Sequence, residues 1–173
     1  MDKTGLYLGI DPGMSGGAGV LDSQGQYVDA WRWDKRNPLT SWHKLMKHSE
    51  HIRAATIEII NPFSGLHGRN FMALAENSGA WKMMLILLDI AWGEVYPATW
   101  QAATGLRHWK KAWETDKTKP CPLSLARIRW PEAGLRFQAD DGMAVGLILA
   151  DLAREAHLSA NSGLSAAAGE AIS

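Results

Sequence analysis

Three carboxylates stand where a solvated surface acid is not expected. Asp11 ends the apolar run Leu6-Tyr7-Leu8-Gly9-Ile10. Glu58 is the one charge within Ala54-Ala55-Thr56-Ile57-Glu58-Ile59-Ile60, and Asp141, after Asp140, opens the amphipathic stretch over 142–157. A carboxylate among apolar residues is costly unless it is paired or bound to a cation. Converging carboxylates add mutual repulsion to that desolvation. A hard divalent cation such as Mg²⁺ removes both costs, because it prefers oxygen ligands at about 2.0–2.1 Å. Each acid also has a plainer reading. Asp11 precedes Pro12-Gly13 and suits an Asx turn. Glu58 could look outward from an edge strand, and Asp140 or Asp141 could cap a helix.

The elements that must position these acids follow from hydrophobic periodicity. Residues 5–10 and 17–22 read as a hairpin around a turn of Pro12, Gly13, Gly16 and Gly17, and 27–33 alternates as a third antiparallel strand. Asn37-Pro38 breaks the pattern, and Thr40 or Ser41 caps a helix to about residue 52, with Trp42, Leu45 and Met46 inward. Residues 54–60 form a β-branched central strand. A long helix over 70–91 carries Phe71, Leu74, Ala75, Ser78, Trp81, Lys82 and Leu85 at helical spacing, and is apolar on more than one face near its end. A strand over 93–96 and a helix beginning at Pro97 or Thr99 come next. Residues 104–122, broken by Gly105 and Pro120, read as a basic loop with helical fragments, followed by helices over 124–130 and 142–157. The order β-β-β-α-β-α-β-α-α predicts an α/β fold: a mixed five-stranded sheet, a three-stranded antiparallel meander plus parallel strands, with helices on both faces. One domain over 1–158 and a flexible Ser/Ala/Gly-rich tail over 159–173 are expected.

Composition narrows the partners. Lys+Arg and Asp+Glu are 18 each, so the chain lacks the basic excess of many nucleic-acid binders. The charge is uneven, though. Residues 99–130 hold seven basic side chains against Glu114 and Asp116, and 31–53 hold six against Asp34 and Glu50. Seven of the nine tryptophans fall in these segments, among them Trp31, Trp33, Trp100, Trp109 and Trp113. Cations interleaved with aromatics suit a phosphate backbone and unstacked bases, although several of these rings must be core and charge runs are often only solvated faces. No apolar run approaches the ~20 residues of a membrane span. Met1-Asp2-Lys3-Thr4-Gly5 does not open like a signal peptide, and Cys121 is the single cysteine. A reducing, cytoplasmic setting is therefore expected.

Three ordered segments carry a family resemblance: Leu8-Gly9-Ile10-Asp11-Pro12-Gly13 with Ser15-Gly16, then Thr56-Ile57-Glu58, then Ala139-Asp140-Asp141-Gly142-Met143-Ala144. Tyr96-Pro97-Ala98-Thr99-Trp100 and Asp116-Lys117 add to it. Over about residues 5–155 the chain resembles the RuvC-type Holliday-junction resolvases, which have a ribonuclease-H-like fold. The resemblance implies a homodimer that cuts two strands of a four-way DNA junction with Mg²⁺ or Mn²⁺, two ions per active site, leaving 5′-phosphate and 3′-hydroxyl ends. Asp11, Glu58 and Asp141 are then the catalytic metal ligands. Many relatives carry a further Asp or His where this chain has Gln138, so either Asp140 takes over as a ligand or that metal is held by fewer side chains. Some have Lys where Gln101 stands, which shifts phosphate binding to Arg107, Lys110, Lys111, Lys117 and Lys119. Phe63 becomes a candidate wedge at the junction centre. The helix over 70–91 becomes the dimer surface, through Phe71, Ala75, Gly79 and Met83. His43, His67 and His108 read as surface histidines.

Other functions remain open at this stage. The same fold could act on flap or otherwise branched DNA, or on RNA–DNA hybrid. A DNA-binding scaffold without catalysis would tolerate Gln138. The glycines around Asp11 also suit an actin-like nucleotide cradle, but 173 residues are too few for its paired domains; room for a DNA backbone is the preferred reading of those glycines.

Overall fold

A near-continuous apolar strand must be covered on both faces, and β1 (Leu6–Asp11) is such a strand. The computed structural model describes residues 5–60 and 69–170. β1 pairs antiparallel with β2 (Gly17–Asp22), and β2 pairs antiparallel with β3 (Tyr27–Arg32). On its other edge β1 runs parallel to β4 (Ile52–Glu58), which runs parallel to β5 (Trp92–Val95). The sheet order is β3-β2-β1-β4-β5, so both acid-bearing strands are interior. This excludes the edge-strand reading of Glu58.

One face is covered by α1 (Pro38–His48) and α2 (Arg69–Leu87). Leu8, Ile10, Val20 and Ile57 pack there with Leu45, Trp81 and Leu85. The opposite face meets α3 (Pro97–Ala103), α5 (Pro122–Arg129) and α6 (Asp141–Glu170), where Leu21 and Trp100 join Leu123, Ala126, Leu147 and Ile148. The short α4 (Trp109–Thr115) forms within the basic segment. The expected mixed sheet with helices on both faces is thus the observed fold.

Two boundaries differ from the sequence reading. α1 begins at Pro38, not at a Thr40 or Ser41 cap, because the fixed φ of proline suits the first helical position. Ser41 is fully buried instead. The last helix passes residue 158 without a break and extends to Glu170, in keeping with the high helix propensity of its alanines.

The glycines of the first hairpin serve the fold. A Cβ on Gly9 would lie 2.0 Å from Gly146 O and 2.2 Å from Ala150 N, and one on Gly19 would lie 2.5 Å from Leu147 N. On Gly142 it would lie 2.3 Å from Ser15 O and 2.4 Å from Gly16 C. The α6 backbone therefore lies directly on β1 and β2, and a bridge joins Gly16 to Gly142. Gly16 and Gly17 are likewise enclosed by protein backbone. Their space belongs to this helix–sheet contact, neither to a DNA backbone nor to a nucleotide.

Candidate active site

The contact between the hairpin and α6 brings the acids together. β1 delivers Asp11 at its C-terminal end, β4 delivers Glu58 at its own, and Asp141 lies in the first turn of α6. All three line one cleft of about 460 Å³ with Gly13, Trp100, Gln101 and Lys110.

Asp11 fills the Asx role while lining this cleft: the Gly13 N–H donates to its Oδ1 at 2.8 Å. Burial pushes its pKa from 3.8 to about 6, and Asp141 adds to the rise, against the Gly13 bond and the Lys110 cation. Glu58 rises from 4.5 to about 7, chiefly through burial and then through repulsion from Asp11. The Trp100 indole N–H donates to Glu58 Oε2 at 2.5 Å and opposes that rise. Burial also raises Asp141, which Lys110 and Arg127 oppose. Lys110 is thus a cation felt by all three acids.

Asp140 faces elsewhere. It is 4 % exposed, its Oδ1 accepts from Arg32, and its Oδ2 accepts from the N–H groups of Arg136 (2.7 Å) and Phe137 (2.9 Å). Burial would raise its pKa, but these hydrogen bonds outweigh it and hold the group ionised below the usual range. With both oxygens engaged, Asp140 anchors the turn before α6 to β3. It does not join Asp11, Glu58 and Asp141 as the expected fourth ligand.

Among the described residues, no group of three or more His, Cys, Asp or Glu side chains stands close enough together to hold a metal ion. Gly13 holds one oxygen of Asp11 and Trp100 one oxygen of Glu58. Their chemistry nevertheless fits a hard cation: oxygen donors held towards protonation by burial and by one another. A pH signature follows. The folded chain binds more protons than the unfolded one between about pH 4 and 7, so its stability falls as pH rises through that window. Binding of a divalent cation requires the ionised acids and offsets the loss. Mg²⁺ is expected to raise the melting temperature by several degrees at pH 8 and hardly at pH 5. Equal shifts at both pH values in thermal melts would exclude these acids as its ligands.

Two supporting roles escaped the sequence reading. One is Trp100, 2 % exposed, whose ring is core and whose N–H orients Glu58. The other is Asn77, buried on α2. It accepts from the Trp33 Nε1–H at 2.8 Å and donates to the carbonyls of Pro12 (3.4 Å) and Gly13 (3.3 Å), which ties the Asp11 turn to the helix. Its signal was present: a lone amide on the Leu74–Trp81 stripe. Asn77→Leu strands the Trp33 donor and is expected to cost about 1–3 kcal/mol in denaturant unfolding; an unchanged midpoint would remove Asn77 from this role.

The basic segments divide sharply. Trp31 and Trp33 are core, packed on Trp81, so the 31–53 segment presents no aromatic surface through them. Trp109 and Trp113 line a second cleft with Lys110, Lys117 and Lys119, and it shares Trp109, Lys110 and Asp141 with the first. Gln138 lines this second cleft too. Arg107 and Lys111 are exposed and border neither. Phe63 and His67 lie outside the described residues. On α2, Ala75, Gly79 and Met83 lie on an exposed stripe with Met72, Ile86 and Leu87, whereas Phe71 is half-buried.

No protein-family model matches the sequence, and no curated protein matches it. Among solved structures, the chain is similar to T. thermophilus RuvC in complex with a Holliday junction substrate: 13 % identity, TM-score 0.55, over 84 % of this chain and 90 % of that one. It is likewise similar to a second Thermus thermophilus RuvC structure, at 14 % identity and TM-score 0.52 over the same shares. The fold is the ribonuclease-H-like fold of RuvC. No described helix is long and apolar enough to cross a membrane.

Proposed function

We propose that this chain, built on the RuvC-type fold, is a metal-dependent endodeoxyribonuclease that resolves four-way DNA junctions as a homodimer. One observation carries the reading: Asp11, Glu58 and Asp141, from three distant segments, line a single cleft where, among the described residues, the other charged side chain is Lys110. A divalent cation held by these acids would supply the Lewis acidity that lets water attack a phosphodiester. Asp11 and Glu58, ionised above about pH 7, draw such a cation to the interior edge of the cleft. Trp100 fixes the carboxylate of Glu58, and Lys110 offers a phosphate its counter-charge. Cys121 Sγ accepts from the Ser124 N–H in capping α5, and no protein nucleophile is required.

Two copies related by a twofold axis match two strands to be cut. The exposed stripe of Met72, Ala75, Gly79, Met83, Ile86 and Leu87 supports α2 as the contact, and Gly79, with open space beyond it, permits close approach. Met83→Glu places a charge in that contact and is expected to convert dimer to monomer in sedimentation; a dimer that persists unchanged would move the interface elsewhere.

The deciding experiment incubates the protein with Mg²⁺ and labelled four-way, three-way, flap and RNA–DNA hybrid substrates. Paired nicks concentrated on the four-way junction support the reading, and preference for another substrate would reassign it within the fold. A catalytically silent scaffold is favoured by one observation, the absence of a closed three-ligand group among the described residues. Absence of metal-dependent cutting on every substrate would establish that alternative.

A further inference from the structure

We infer that the cleft beside the catalytic one is a stacking site for a single unpaired nucleotide of the strand being cut. The inference rests on the nuclease reading above and specifies how that nuclease would hold its substrate. The cleft has a volume of about 550 Å³, within the ~300–1,000 Å³ of small-ligand sites, so it can admit a nucleotide but not a duplex. It meets the catalytic cleft along Trp109, Lys110 and Asp141, so its occupant is covalently within reach of a phosphate held there.

Its lining is suited to a base and its phosphate. Trp109 and Trp113 stand four residues apart on α4 and share a helix face. Lys110, Lys117, Lys119 and Arg127 supply four cations against Glu114 and Asp141. Both rings are only half-buried, unlike Trp31, Trp33 and Trp100 in the core.

At present the rings carry lysines. Lys117 Nζ lies 3.5 Å from the Trp113 ring centroid, and Lys110 Nζ lies 5.7 Å from that of Trp109. A solvated cation–π contact is worth only a few-fold in an equilibrium, whereas base–aromatic stacking is worth about five- to a hundredfold. A base therefore displaces Lys117 from Trp113, and the released ammonium falls to the adjoining phosphate. Every base has a π face, so the site accepts any base and discriminates unpaired from paired strands.

The test uses the full chain without divalent cation, titrated with a labelled oligothymidylate and with a blunt duplex of equal length. Trp113→Ala is expected to weaken oligothymidylate binding by about five- to a hundredfold, and duplex binding by less than about twofold. Trp113→Phe retains a stacking face and should stay within about threefold of wild type. Trp113→Leu keeps apolar volume without a π face, and serves if the alanine variant fails to fold. Equal losses on both nucleic acids, or no loss on either, overturn the stacking site. If wild type does not bind the oligothymidylate, the stacking site falls while the nuclease reading still stands or falls on Mg²⁺-dependent junction cutting; if wild type binds and cuts but Trp113→Ala binds normally, only the stacking site falls.

Discussion

Asp11→Asn is expected to slow metal-dependent strand cutting by about a thousandfold or more while leaving junction binding in place. The substitution keeps the shape and the Oδ1 acceptor that takes the Gly13 N–H at 2.8 Å, so the turn survives. What disappears is a negative charge in the cleft shared by all three acids. A second expectation separates this charge effect from simple damage. Burial and Asp141 raise Asp11 to about 6, so at pH 8 its carboxylate is ionised at a cost to the folded state. The neutral amide carries no such cost and relieves Glu58 of its neighbour's repulsion. Without metal at pH 8, the variant should be more stable than wild type by about 1–3 kcal/mol, a gain that vanishes near pH 4. Cutting at the wild-type rate would end the site assignment, and a lower melting temperature would end the electrostatic account.

Gly9→Ala should prevent stable folding or cost more than about 4 kcal/mol. Its added methyl would sit 2.0–2.6 Å from the backbone of Gly146, Leu149 and Ala150, atoms that cannot rotate aside as a side chain would. Relief requires α6 to lift from β1, which strips the second face of the sheet and carries Asp141 away from Asp11. Gly93→Ala is the control: it also sits in a strand, but nothing lies within 4 Å of its added methyl. That variant should remain within about 1 kcal/mol of wild type. Denaturant unfolding of the pair measures the difference directly, and equal stabilities would show that the helix–sheet contact yields where the distances say it cannot.

Much of the fold was legible because its cues are local. The alternation in 27–33, the β-branched run before Glu58 and the Asx-Pro-Gly turn after Asp11 each specify backbone within a few residues. An apolar strand also demands cover on both faces, which made the mixed sheet and the interior position of Glu58 readable. The three acids were singled out on the same ground, since a charge at the end of a buried strand needs an explanation wherever the strand lies.

Tertiary structure decided questions between residues that look alike in sequence. Asp140 and Asp141 are adjacent and equally acidic, but consecutive residues at a helix start point in different directions; one meets Arg32 and two backbone N–H groups, the other the cleft. Trp33 and Trp113 both sit among basic residues, yet Trp33 is buried against Trp81 and Asn77 whereas Trp113 is half-buried with Lys117 over its face. Gly9 and Gly93 are both strand glycines, and only the first lies under a helix. Local chemistry singled out Asp11, Glu58 and Asp141 as acids in apolar surroundings. Burial, hydrogen-bond partners and close approach depend on surfaces supplied by segments far away in the chain, so only packing decided which neighbours serve that site and which hold the fold around it.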